Sequence, residues 1–265
     1  MNYFTFNTTG EMGQFVSNKR VYSFEDEIVT ESDLSDVMDS AAWIMFKDRN
    51  ALETEIDVWL EKQHLLVDGK LTVAALLLFS DEPQVCLAKR SSIKILRYQT
   101  CGKATRTALV GTPITVEGCI YHQICEATKK TKEIIECIRG AQKGFELLHC
   151  QEETLHEIIT NAVTHRDYKI ITDIQIRIFD NRVEIESPGR LPEGIAVDSM
   201  LTTKVTRNSK IAYFINEFQD MPNTKGLSAA FKAMDNVRLQ VPLIEETNSS
   251  VLVTMELKST ESRGV

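Results

Sequence analysis

No C-x-x-C pair occurs among the six cysteines, and no apolar run approaches the length of a membrane span. The spacing of Cys86, Cys101, Cys119, Cys125, Cys137 and Cys150 suggests neither a disulfide framework nor a zinc site. Most are expected to be small buried hydrophobes with free thiols. The longest uninterrupted apolar run, Val73 to Phe79, is far too short to cross a bilayer. The first residues, Met1-Asn-Tyr-Phe-Thr-Phe, lack the basic start and apolar core of a signal peptide, so the cytoplasm is the expected compartment. No internal repeat or low-complexity segment is visible. Acidic residues are missing altogether from Pro83 to Val116.

What is present fits a soluble globular protein: 265 residues, 43% hydrophobic and 26% charged, enough chain for two domains of ordinary size. A net charge of −8 argues against unspecific coating of nucleic acid. The acid-free stretch nevertheless carries Lys89, Arg90, Lys94, Arg97, Lys103 and Arg106. Two readings are open for it: a solvated basic edge strand, or a surface for DNA phosphates or a protein partner.

The pattern from Ser32 to Leu66 is helical. Ser32 or Asp33 is a candidate cap for a helix through Trp43 to Phe46, and Leu52, Ile56, Trp59 and Leu60 share the face of a second. Ser92 to Tyr98 alternates as a strand does, and a long helix is expected from about Val116 to Gly140, with a linker near Gly144. Ile174, Ile176 and Ile178 alternate with Gln175 and Arg177. Asp180-Asn181-Arg182 turns the chain, and Val183 and Ile185 begin an antiparallel partner. Beyond a weakly patterned stretch, helices are expected near Lys210 to Glu217 and from Gly226 through Met234. Strands are expected at Val237-Leu239-Val241 and Val251 to Leu257. The expected fold class is α+β: a C-terminal α/β sandwich after a smaller mixed α/β N-terminal domain, divided as 1–110, a connecting helix at 111–145, and 146–260.

The densest chemistry lies in Glu157-Ile-Ile-Thr-Asn161-Ala-Val-Thr-His165. Leu155, Ile158, Ile159, Ala162 and Val163 form an apolar stripe of helical period. Glu157, Asn161 and His165, four residues apart, stack on a second face. A helix that buries one face and aligns an acid, an amide and an imidazole on another is suited to a metal-bound phosphate. A merely solvated polar face is the other reading.

The string Leu155-His-Glu157-Ile-Ile-Thr-Asn161-Ala-Val-Thr-His165-Arg-Asp-Tyr168 is followed by Asp180-Asn-Arg-Val-Glu-Ile-Glu-Ser-Pro188-Gly189 and by Arg207-Asn208. Together they resemble the Bergerat nucleotide fold of GHKL (histidine-kinase-like) ATPases. The likeness is closer to members found with Schlafen-type (Alba-like) domains and described as transcriptional regulators or helicase-like proteins. It spans about residues 50 to 257. Such members carry a complete Schlafen-type domain in front, for which the first 50 residues are too short, so a pared-down member or a partner subunit is expected.

The resemblance implies ATP and Mg²⁺ as ligands. It casts Asn161 as the metal ligand and Glu157 as the residue that orients or deprotonates the attacking water. His165 is implied at the phosphates or beside Asn161, although a cationic cap on the helix C-terminus is equally consistent. Ser187 stands where the superfamily has an Asp that accepts from the adenine amino group, and Gly189 where the backbone approaches the base. Arg207 and Asn208 fall in the lid region, while Lys225 and Gly226 keep one glycine of a degenerate second glycine box. Arg166 and Asp167 read as a structural pair or as ligand contacts, and Tyr168 as packing.

The reading favoured by the sequence is therefore a nucleotide-dependent switch, with slow Mg-dependent ATP hydrolysis at most, acting in transcription regulation or defence, with no membrane attachment and a homodimer as an open state. A nucleotide-free interaction module that keeps the fold is the alternative. Nuclease activity ranks low, for want of an acidic cluster in the N-terminal half.

Overall fold

Ile174, Ile176 and Ile178 are all buried while Gln175 and Arg177 between them are half-exposed, the period-2 burial of a strand with one face on a core. This strand belongs to the single large sheet of the computed structural model, which describes residues 23–87, 91–141, 149–192, 194, 197, 206–218, 226–236 and 240–257. The strands are β1 (Leu66–Val67), β2 (Lys70–Leu71), β3 (Ile93–Tyr98), β4 (Leu109–Val116), β5 (Ile174–Ile178), β6 (Arg182–Pro188), β7 (Leu243–Glu246) and β8 (Ser250–Glu256). The helices are α1 (Ala41–Arg49), α2 (Ile56–Lys62), α3 (Val73–Phe79), α4 (Pro83–Cys86), α5 (Ile120–Ala141), α6 (His149–His165), α7 (Ser209–Glu217) and α8 (Leu227–Asn236).

Six strands form the sheet in the order β4-β3-β5-β6-β8-β7, and β1 with β2 forms a small hairpin. Among the described strands only the β3–β5 pair is parallel, with Ile93 opposite Ile174 and Arg97 opposite Ile178; the other pairs are antiparallel. The fold is α+β, as expected, with a mixed sheet. The sheet runs straight across the division drawn at residue 110, since β3 precedes that point and β4 straddles it.

α5 and α6 pack against the sheet and each other, and α8 packs on α6. The buried face carries Ile93, Ile95, Ile174, Ile176, Ile178, Val183 and Ile185 against Ile124, Leu155, Ile158 and Ile159. Each such aliphatic side chain stabilises the fold by roughly 1.5–3 kcal/mol when fully buried. The opposite face carries a ladder of ion pairs: Arg177 to Glu184 at 3.0 Å and to Glu186 at 2.6 Å, and Arg182 to Glu184 at 2.8 Å. Cross-strand pairs of opposite charge hold the register on that side.

The N-terminal helices gather on an aromatic cluster. Trp43, Phe46, Trp59 and Phe79 meet Phe214 of α7 and Phe218 just beyond it, with ring centroids 5.0–6.3 Å apart. α3, the apolar run Val73 to Phe79, is buried at every position, which accounts for its lack of any polar face.

Several sequence expectations need correction. The helix expected from Ser32 is two elements: a 3₁₀ turn at Leu34–Asp36 capped by Asp33, then α1, capped by Ser40 through its hydroxyl and the Trp43 amide. The long helix begins at Ile120 rather than Val116, because Val116 closes β4 and Gly118 turns the chain at φ +100°. The strand expected at Val237-Leu239-Val241 is β7, Leu243–Glu246; Val237 and Leu239 lie outside the described residues, as does the linker around Gly144. Among the described cysteines only Cys119 is buried, its thiol pushed up to about 11 by that burial. Cys101 and Cys137 are exposed, on the β3–β4 connection and on α5.

Candidate nucleotide site

Glu157 and Asn161 lie one turn apart on α6, and the structure joins them directly. The Asn161 Nδ2 group donates to the Glu157 carboxylate at 2.9 Å and to the Glu157 backbone carbonyl at 2.9 Å. With its N–H groups so engaged, the amide keeps its carbonyl oxygen, Oδ1, as the atom suited to a hard cation. Glu157 is 6% exposed. Burial pushes its carboxyl up, and the hydrogen bonds from Asn161 and from the Gly226 backbone N–H oppose the rise without cancelling it. A carboxylate raised in this way is a better proton acceptor than a solvated one.

Gly226 therefore stands where the degenerate glycine box was read. It sits at the entry to α8 with φ +79°, and its amide is within hydrogen-bond reach of the candidate base. Lys225 lies outside the described residues.

His165, at the end of α6, is half-buried. Burial pushes its imidazole down, and the charge of Arg207 adds to the effect, so the ring favours its neutral form. This disfavours the cationic helix cap and leaves a neutral imidazole one turn from Asn161.

The end of β6 lies against the same stretch of α6. Ser187 donates its hydroxyl proton to the Ala162 carbonyl at 2.7 Å, and the Asp167 amide donates to the Pro188 carbonyl at 2.8 Å. Gly189 follows at φ +106°, with its own amide donating to the Ser249 carbonyl at 2.8 Å. A Cβ on Gly189 would come within 2.6 Å of Asp167 Cβ and 3.2 Å of its backbone nitrogen. The close neighbour that demands glycine here is thus Asp167. Gly189→Ala is expected to destabilise the protein by about 1–3 kcal/mol, a fall of roughly 2–10 °C in thermal denaturation.

Arg207 and Asn208 brace the site from the other side. Arg207 pairs with Asp167 at 2.6 Å and donates to the Arg190 carbonyl at 2.6 Å. Asn208 is buried, and its Nδ2 donates to the Thr164 and Arg166 carbonyls, both at 2.9 Å. Thr164 is in the last turn of α6, where carbonyls lack intrahelical partners, and Arg166 follows directly after the helix. Asp167 and Arg207 form an ion pair that reading by sequence neighbourhood did not suggest. Arg166 instead donates to the Thr172 carbonyl at 2.6 Å and lies over the Tyr168 ring, 5.1 Å from its centroid. Tyr168 is buried and donates its hydroxyl to the Val163 carbonyl at 3.0 Å, a packing role.

The acid-free stretch forms α4, β3 and β4 with their connections. Arg97 is paired with Asp180, whereas Lys103 and Arg106 are exposed on the β3–β4 connection. Lys89 and Arg90 lie outside the described residues. No helix among the described residues is long and apolar enough to cross a membrane.

Comparison with known proteins bears on part of this arrangement. Residues 172–255 match the model of the family described as "Putative ATP-dependent DNA helicase recG C-terminal", an ATPase-like domain family. The match takes in Ser187, Gly189, Arg207, Asn208, Lys225 and Gly226 but begins after Glu157, Asn161 and His165. Among solved structures, the DIP2311 protein from Corynebacterium diphtheriae is similar in fold, with a TM-score of 0.64 and 18% identity. The similarity covers 90% of this chain and 40% of that one, so this chain spans well under half the length of the solved protein. No curated protein matches the chain.

Proposed function

We propose that the protein is a GHKL-like, Mg-ATP-binding switch, and that the Glu157–Asn161 pair is the centre of its nucleotide site. The observation that carries this reading is the joint placement of three groups along the C-terminal half of α6. Asn161 has its amide committed to Glu157, Glu157 is a buried carboxylate within reach of the Gly226 amide, and the β6 end with Ser187 and Gly189 packs alongside. Among the described residues no three His, Cys, Asp or Glu side chains cluster as a metal cage. That donor set fits magnesium, which keeps most of its waters and is held by one or two protein oxygens with the phosphates. Asn161 Oδ1 would be the protein's ligand, and the ion would neutralise charge on the phosphates.

The chain's own part would be modest. Glu157 would hold the attacking water and accept its proton, assisted by its raised basicity. Neutral His165 and Arg207 would face the phosphate end, with Lys225 near by sequence, while the Gly226 amide would hold Glu157 in place. One base and weak glycine boxes support slow turnover. Thermal shift against a panel of nucleotides, with and without magnesium, tests the reading: Mg-ATP is expected to raise Tm, and absence of any nucleotide response refutes it.

Ser187 supports adenine as the base. Its hydroxyl proton is committed to Ala162, so the oxygen offers lone pairs alone and suits an amino group rather than the carbonyl of guanine. Ser187→Ala is expected to reduce the preference for ATP over GTP by roughly 2–10-fold, the worth of one such hydrogen bond. Competition binding of the two nucleotides reads this out, and an unchanged ratio removes Ser187 from base recognition.

The switch would act on a partner of the N-terminal half. Exposed Lys103 and Arg106, within a stretch free of acidic residues, support a contact with DNA phosphates or an acidic protein surface. A role in transcription regulation or defence rests on the Schlafen-associated resemblance of the motifs.

A further inference from the structure

Glu25 is 1% exposed, and its carboxylate closes the start of α7. The Lys210 amide (3.0 Å) and the Ser209 hydroxyl (3.1 Å) donate to Oε1, and the Ile211 amide (3.1 Å) donates to Oε2. Those amides belong to the first turn of a helix, where donors lack intrahelical partners and a negative charge is favoured by the helix dipole. Asn208, the residue that would ordinarily cap α7, makes no side-chain cap, because its carboxamide is spent on α6. The cap comes instead from a residue 184 positions away in sequence.

The segment bearing Glu25 is fastened to the N-terminal half. The Val29 amide donates to the Leu71 carbonyl and the Val73 amide to the Glu27 carbonyl, both at 2.9 Å, and Ile28 bridges Thr72. Asp26 pairs with Lys210 at 2.7 Å, and Lys210 also donates to the His64 carbonyl at 2.7 Å. On its other side the same junction holds the candidate site, through Arg207 to Asp167 and Arg190 and through Asn208 to the end of α6. Five consecutive residues, 207 to 211, thus tie the strap at 23–29 to the helix that carries Glu157 and Asn161.

We propose that Glu25 is a positioning residue for the nucleotide site: by capping α7 it sets Arg207 and Asn208 in place, so nucleotide occupancy and docking of the strap are coupled. The inference rests on the Mg-ATP reading above. Coupling of this kind is reciprocal, so whatever Glu25 contributes to nucleotide affinity, the nucleotide returns to the strap.

The test uses the full chain and its Glu25→Ala, Glu25→Gln and Glu27→Ala variants, with amide hydrogen exchange and Mg-ATP titration. Glu27 is exposed and serves as the control. Without nucleotide, Glu25→Ala is expected to speed exchange at Lys210 and Ile211 at least tenfold, and Glu27→Ala to leave it unchanged. With nucleotide, the wild type is expected to gain protection at Lys210, Ile211 and residues 23–29. Kd for Mg-ATP is expected to rise at least fivefold in Glu25→Ala and by a smaller factor in Glu25→Gln, which keeps one acceptor oxygen. If Glu25→Ala does not fold, the Gln variant carries the comparison. A wild type that binds no Mg-ATP overturns the nucleotide reading and this inference with it. A wild type and folded Glu25 variants that bind equally overturn the coupling alone.

Discussion

Asn161→Ala is expected to abolish the thermal stabilisation by Mg-ATP while leaving the protein folded. With ligand at a hundredfold excess over Kd, binding to the native state alone adds about 2.7 kcal/mol. For a chain of this size that is a rise of roughly 5–10 °C in Tm. The variant removes the carbonyl oxygen assigned to the metal and also the amide that donates to Glu157 at 2.9 Å. Alanine is the best helix former, so the cost to the free variant is that of the lost hydrogen bond to buried Glu157, about 1–3 kcal/mol. Differential scanning fluorimetry with ATP, with and without magnesium, separates the cases. A shift that persists at full size in the variant would move the metal-binding role elsewhere.

Glu157→Gln is expected to act in two opposite directions. Turnover, where the wild type shows any, should fall by about 10²–10⁴-fold, since the amide cannot accept a proton. Stability should rise at neutral pH. The folded carboxyl is pushed up by burial, so the unfolded chain ionises more readily than the folded one. What the protonated carboxyl contributes is present in full below its unfolded value and is lost as pH rises through the raised folded value. Glutamine does not titrate and still accepts from Asn161 and Gly226. The variant should therefore melt above the wild type at pH 8, with the difference closing as pH falls below the ordinary carboxyl value of 4.5. Melting curves across pH check this, and a variant less stable than wild type at every pH would show that the carboxylate holds the site together instead of straining it.

The α6 helix was legible in sequence because its two signals agree: an apolar stripe at helical period and a polar series four residues apart, with Glu157 and Asn161 meeting as that spacing requires. The β5–β6 hairpin was legible for the same reason, alternating isoleucine with charge on either side of Asp180-Asn181. β4 was not. It is an edge strand whose residues are mostly exposed on both faces, and Gly111 and Pro113 interrupt any alternation. The position of β7 was set by the turn closing on β8, where the Thr247 amide donates to the Ser250 carbonyl, and not by the earlier apolar alternation at Val237 to Val241.

The candidate site divides the same way. Local spacing aligned Glu157, Asn161 and His165, whereas Ser187, Gly189 and Gly226 were legible only through the family resemblance; the structure sets Ser187 against Ala162 and the Gly226 amide against Glu157. The pairing of Asp167 with Arg207 and the cap from Glu25 join residues 40 and 184–186 positions apart, which no window of sequence can connect.

The parallel pairing of β3 beside β5 carries a cost for anyone wishing to isolate the C-terminal half. Cutting away everything before α6 would strip β5 of β3 and lay bare the backbone amides and carbonyls along one edge of an isoleucine-rich strand. Such a fragment would present an adhesive rim to its own copies.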